Sequence, residues 1–128
     1  QRQFDAIILL SVVEHFGLGV YRDAAREEDA DRQAVKHIGR WLKPGGQLLV
    51  TTTFGKPAIT HKHRIYDKKR LDEVFPYADF RRKDERYYER RSEHWMESTP
   101  EALRNVDSSV LPGHGLVVFD LEKIKNAR

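Results

Sequence analysis

Two apolar runs that break off into polar residues constrain this chain more than any other feature in it. The first, Phe4-Asp5-Ala6-Ile7-Ile8-Leu9-Leu10, gives way to Ser11-Val12-Val13-Glu14-His15. The second, Gln47-Leu48-Leu49-Val50, follows Leu42-Lys43-Pro44-Gly45-Gly46 and runs into Thr51-Thr52-Thr53. Neither alternates polar with apolar, so each is expected as a strand covered on both faces, the first as a central parallel strand. The polar endings matter because open α/β sheets hold ligands outside the carboxyl ends of their strands.

The residues between the runs supply a crossover. Gly17, Gly19 and Tyr21-Arg22-Asp23 read as a loop, and Asp29 or Asp31 can cap a helix that places Ala34, Val35, Ile38, Trp41 and Leu42 on one face. Lys43 suits its last turn, and Pro44-Gly45-Gly46 should stop the helix and turn the chain into the second strand. Strand, helix, strand is the βαβ unit of a parallel sheet. Gly55 to His63, with Pro57, reads as a loop, and Asp67 can cap a short helix burying Leu71, Val74 and Phe75. Between Phe80 and Ser98, the aromatics Tyr87, Tyr88 and Trp95 favour a pair of strands over a long amphipathic helix. Thr99-Pro100-Glu101 starts a short helix to about Val106. Pro112-Gly113-His114-Gly115 then turns into a last strand over Leu116 to Leu121. Trp41 and Trp95 are expected in or beside the core, since large aromatics supply much of the buried area in a small domain.

Composition narrows the function classes. At 128 residues the chain has room for one domain, because domains cluster at roughly 100 to 150 residues. The apolar fraction is 39% and the charged fraction 34%, and no apolar run approaches the about 20 residues that span a bilayer, so no membrane partner is expected. The absence of cysteine rules out disulfide and thiolate chemistry and fits a reducing compartment, with cytoplasmic as the default. Net charge is only +3, and stretches such as Arg81-Arg82-Lys83-Asp84-Glu85-Arg86 mix the signs. A nucleic-acid binder would present a one-signed basic stripe, so no nucleic acid is expected as a partner.

In their order and spacing these segments resemble a class I S-adenosylmethionine-dependent methyltransferase from its fourth strand onward. Phe4-Asp5-Ala6-Ile7 matches that strand, Ser11-Val12-Val13-Glu14-His15 the Glu-His ending common after it, and Leu42-Lys43-Pro44-Gly45-Gly46-Gln47-Leu48 the turn before the fifth strand. His63-Arg64-Ile65-Tyr66-Asp67, with Leu71, resembles a methyltransferase type 11-like subgroup that acts on small molecules or is associated with sugars. The resemblance implies a partial Rossmann-like α/β sheet with helices packed on it. Gly115 to Lys123 would be its last strand, running antiparallel at the end of the sheet. It also implies S-adenosylmethionine as cofactor, a small-molecule substrate, and a single domain, 1–128, that is the C-terminal half of the fold.

Methyl transfer needs positioning and a dry pocket more than a metal or a covalent intermediate. On the resemblance, Glu14 and His15 are the catalytic candidates, with Ser11, Val12 and His15 at the cofactor. Histidine titrates near neutrality and can take a proton from an acceptor hydroxyl or amine. The competing reading is that Glu14 and His15 only cap the strand end. Thr53 and Phe54, at the lip of the next strand, and the loop residues His63, Arg64 and Tyr66 are candidates to bind substrate, with Arg64 as the charge for an anionic or sugar-like group. β-Propensity explains the threonines equally well, and a solvated loop explains the polar cluster. His61-x-His63 alternates two imidazoles without a third ligand nearby, so no metal is expected.

The departures from the family set the limit. No glycine-rich loop follows a first strand to let the backbone approach a cofactor, and no acidic residue follows a second strand to hold ribose hydroxyls. Gly17-x-Gly19 follows the wrong strand. A chain that begins at Gln1, three residues before a buried strand, reads as a piece of a longer protein lacking the cofactor-binding half, and is expected to be inactive alone. A sheet cut at that strand exposes an apolar edge, so a homo-oligomer or a partner chain on the edge is expected. The alternative to the enzyme is a non-catalytic interaction module that keeps half of the fold.

Overall fold

The computed structural model describes residues 3–19, 27–108 and 114–125. Tyr21-Arg22-Asp23 and Pro112-Gly113, expected in a loop and a turn, lie outside the described residues. The apolar runs are adjacent parallel strands, β1 (Phe4–Leu10) and β2 (Leu42–Thr53), in a register that pairs Ile7 with Leu48 and Leu10 with Thr51. Between them α1 (Ala30–Trp41) buries Val35 and Ile38, completing the expected βαβ unit. The break after α1 is sharper than expected, because β2 begins at Leu42, directly after Trp41. Pro44-Gly45-Gly46 forms an irregularity inside the strand, with Gly45 at φ +80 and the register shifting between Phe4 and Ala6.

Gly55 to His63, expected as plain loop, contains β3 (Ala58–Ile59), which pairs with β4 (Arg64–Ile65). Asp67 accepts from the Arg70 N–H at 2.9 Å and caps α2 (Lys68–Val74), which buries Leu71 and Val74 beside Phe75. The aromatic segment is extended, as its composition suggested: β5 (Phe80–Arg91) turns through Ser92, at φ +56, into β6 (His94–Ser98). Thr99 accepts from the Ala102 N–H and caps α3 (Pro100–Leu103), which stops before Val106. β7 (Gly115–Lys123) follows.

The main sheet has the order β1-β2-β7-β5-β6. β7 runs antiparallel, as the resemblance implied, but lies between β2 and β5 instead of at the end. Its alternate residues Val117, Phe119 and Leu121 are all buried on the core face, and it pairs with β2 on one side and β5 on the other. β1, expected to be central, is an edge strand of this sheet: Ile8 is 58% and Leu10 60% exposed, because β2 alone pairs with it among the described residues.

The core lies where α1 and α2 meet the sheet, around Val35, Leu48, Leu71, Phe75 and Phe119. Neither tryptophan joins it. Trp41 is 44% exposed, because α1 ends there and Leu42 turns inward in its place, and Trp95 is 46% exposed on the outermost strand β6. No helix among the described residues is long and apolar enough to cross a membrane.

Candidate functional site at the strand ends

β1 ends at Ser11 because the backbone there turns left-handed, at φ +53, while the Ser11 N–H stays tied to Thr51 through its carbonyl at 2.9 Å and its Oγ1 at 3.1 Å. A residue with a Cβ rarely adopts that conformation, so the bend through Ser11 and Val12 is held by the sheet beside it. A single 3-10 turn, Val13–His15, follows and sends consecutive side chains to different surroundings. Val13 enters the core. Glu14 is buried and accepts from the Thr52 hydroxyl at 2.8 Å. Burial pushes its carboxyl above the usual range, against the opposing pull of its backbone N–H, Thr52 and His15.

His15 has the second partner that sequence could not show. Its Nδ1 donates to the Lys62 carbonyl at 2.5 Å, and since a carbonyl only accepts, this contact sets Nε2 as the basic nitrogen of the neutral ring. His63 stands edge-on to it, with ring centroids 6.3 Å apart, its Nδ1 lying 3.1 Å from the Thr60 hydroxyl. Burial, with the neighbouring His15 and His61, holds the His63 imidazole below its ordinary value.

A cavity of about 260 Å³ opens at this rim. Ser11, Glu14 and His15 form one side, Thr53 and His63 another, and Leu116 and Trp95 complete it. Thr53 is mostly occupied below, its hydroxyl donating to the Arg64 carbonyl at 2.5 Å. Trp95 and Leu116 were missed in sequence: Trp95 looks like core, and nothing local shows that β6 brings it to the rim.

Phe54, Arg64 and Tyr66, expected to meet substrate, lie away from this cavity. Phe54 is buried, packed edge-to-face on Tyr87 at 4.8 Å. Arg64 is 2% exposed, and its guanidinium donates to the carbonyls of Phe16, Glu27 and Glu28 at 2.5, 3.0 and 3.1 Å. It ties the 3-10 turn after β1 to the start of α1, and with Tyr66 and Arg70 it lines a separate hollow of about 580 Å³. Its Nε lies 3.6 Å from Asp31, which also accepts from the Tyr66 hydroxyl at 2.8 Å and from Arg70 at 2.6 Å. Burial and the Asp31 charge raise the Tyr66 phenol far above its ordinary range. Burial pulls the Arg70 guanidinium down, but Asp31 more than offsets this and the net shift is upward. A third hollow of about 420 Å³ between α1 and α2 is lined by Asp29, Arg32, Lys36 and Glu73 and shares no side chain with the rim.

Of the residues that the resemblance sets beside the cofactor, Ser11 and His15 line the rim cavity and Val12 does not. The described residues do not fit S-adenosylmethionine by themselves: beyond Ser11 the outer side of β1 is open, with Ile8 and Leu10 exposed and no backbone cradle opposite them. His61, exposed, stands apart from the cavity, and the described residues contain no group of three side chains placed to hold a metal ion.

No curated protein matches the chain. Among solved structures it is similar to the [4+2]-cyclase SpnF, with a TM-score of 0.60 and 19% identity, over 96% of this chain and 50% of that one. The chain therefore spans about half the length of SpnF, and the likeness is one of fold: a mixed α/β sheet with helices packed against it. Residues 1–111 match the family DUF268, described as a Caenorhabditis protein of unknown function, and the chain belongs to that family.

Proposed function

We propose that this chain is the acceptor side of a class I methyltransferase-like enzyme that transfers a methyl group to a hydroxyl of a small molecule. The convergence of Ser11, Glu14, His15, Thr53 and His63 on one cavity at the carboxyl ends of β1 and β2 carries this reading, since that end of an open α/β sheet is where ligands bind. The likeness of fold to SpnF, itself a [4+2]-cyclase, supports the architecture without naming the reaction. S-adenosylmethionine would supply an electrophilic methyl group, held largely by residues beyond those described here.

This chain's own residues handle the acceptor. The Lys62 carbonyl holds the His15 ring so that Nε2 can accept the hydroxyl proton as the oxygen becomes a nucleophile. Glu14, fixed by Thr52, interacts with His15 through its charge and so favours the imidazolium that forms. Titration calorimetry of the full-length gene product with S-adenosylmethionine and its demethylated product tests the reading. Micromolar binding, weakened by a bulky Ser11→Tyr wall, is expected, and no binding of either compound would overturn it. The exposed apolar edge of β1 supports a second reading, a non-catalytic interaction module. In that case a folded full-length protein would bind partner protein and no cofactor.

A further inference from the structure

The rim cavity holds a buried acid that the protein leaves short of positive charge. Glu14 is 3% exposed, and one of its oxygens takes the Thr52 hydroxyl. No Lys or Arg stands among the described lining residues. The charge that favours its ionised form is that of the neighbouring His15, and burial outweighs both His15 and Thr52. A carboxylate taken out of water in this way costs stability unless a cation is set beside it. The same cavity contains the Trp95 indole, 46% exposed on the outermost strand. A tryptophan ring attracts a cation over its face through its quadrupole. Carboxylate and indole around one small space are thus two groups that recognise an ammonium ion, the first by charge and the second by its π-electrons.

The polar atoms of the lining also suit hydroxyls. The second Glu14 oxygen, the hydroxyl oxygens of Ser11 and Thr53, and His63 Nε2, which has no hydrogen-bond partner among the described residues, can each pair with one. Hydroxyl recognition therefore does not select among ligands, and charge does. An anion would meet Glu14 with no Lys or Arg to counter it, whereas a cation would supply what Glu14 lacks. At about 260 Å³ the cavity is smaller than sites for drug-sized ligands, which run from about 300 to 1,000 Å³. Resting on the methyl-acceptor reading above, we infer that the acceptor is a small organic cation, its ammonium group held between the Glu14 carboxylate and the Trp95 indole.

Choline and the alcohol that carries a tert-butyl group in place of its trimethylammonium share shape and hydroxyl and differ in charge, so the pair isolates the cation. By calorimetry on the full-length gene product at low salt and about pH 8, above the ordinary histidine range, choline should bind saturably and the neutral alcohol about tenfold more weakly. Glu14→Gln keeps an acceptor for Thr52, and should lower choline affinity about tenfold while leaving that of the alcohol unchanged. Trp95→Ala should lower choline affinity about fivefold in a chain with an unchanged circular-dichroism spectrum. Choline should also raise the melting temperature of wild type and leave that of Glu14→Gln unmoved. Equal binding of the two compounds, no binding of choline, or choline binding indifferent to either substitution would overturn the inference. Cofactor titration in parallel separates the two readings. Cofactor binding without choline binding sinks the cation site and leaves methyl transfer standing, whereas choline binding without cofactor binding upholds the cation site and sinks methyl transfer.

Discussion

Asp31 is fully buried between Arg64, Arg70 and Tyr66, and each of these leans on it for a charge or an acceptor. Removing it leaves a buried guanidinium without its counter-ion, so Asp31→Ala should cost about 3–5 kcal/mol in urea unfolding, against a smaller loss for the partly exposed Arg70→Ala. Glu14 behaves differently, because burial outweighs its hydrogen bonds and the His15 charge and raises its folded pKa above the ordinary value of 4.5. Between that value and the raised one the folded state holds the extra proton, so Glu14 lowers stability as pH rises through the window. Glu14→Gln, which can still accept from Thr52, should therefore unfold at higher urea concentration than wild type at neutral pH. The difference should vanish as pH falls below 4.5. His63, held neutral, has the opposite sign: its contribution is lost as pH falls below its ordinary 6.5. Sequence found Glu14 and His15 because they follow a strand end and His63 because it sits in a polar loop cluster, but could not separate Arg64 and Asp31 from surface charges. With acids and bases interleaved throughout, a buried pair and a solvated pair spell the same way.

At the level of elements, the bend after β1 stores strain that can be released. Ser11→Gly relieves a left-handed non-glycine backbone and should stabilise the fold by about 1 kcal/mol, read as a higher melting temperature, while removing a hydroxyl from the cavity lip. Gly17→Ala should do the reverse. Its Cβ would come within 2.3 Å of the Ala30 side chain and 2.5 Å of the Glu27 carbonyl, at φ +74, forcing α1 away from the turn that carries His15. The loss should register as a lower melting temperature. Helix caps at Asp67 and Thr99 and the hairpin through Ser92 could be read locally, since capping and aromatic content act over a few residues. The place of Pro44-Gly45-Gly46 could not, because whether a glycine turn ends a helix or kinks a strand depends on the neighbour it pairs with.

Across the molecule as a whole, β1 has a strand on one side only among the described residues, and Ile8 and Leu10 are exposed on it. Such an edge recruits another strand. Light scattering of the isolated chain should give a mass above the monomer that rises with concentration, and Ile8→Lys with Leu10→Lys should return it to monomer. A monodisperse wild-type monomer at working concentration would contradict this. Strand order is the property sequence hides most completely: β7 reads as one more apolar strand, and only pairing places it between β2 and β5. That placement bears on how the protein is made. Translation delivers β2 and β5 long before the strand that joins them, so a nascent chain emerging from the ribosome carries two unsatisfied sheet edges facing each other across a gap. The sheet can close only after residue 123 has cleared the exit tunnel, so the topology sets an interval during synthesis in which those edges are open to wrong pairing.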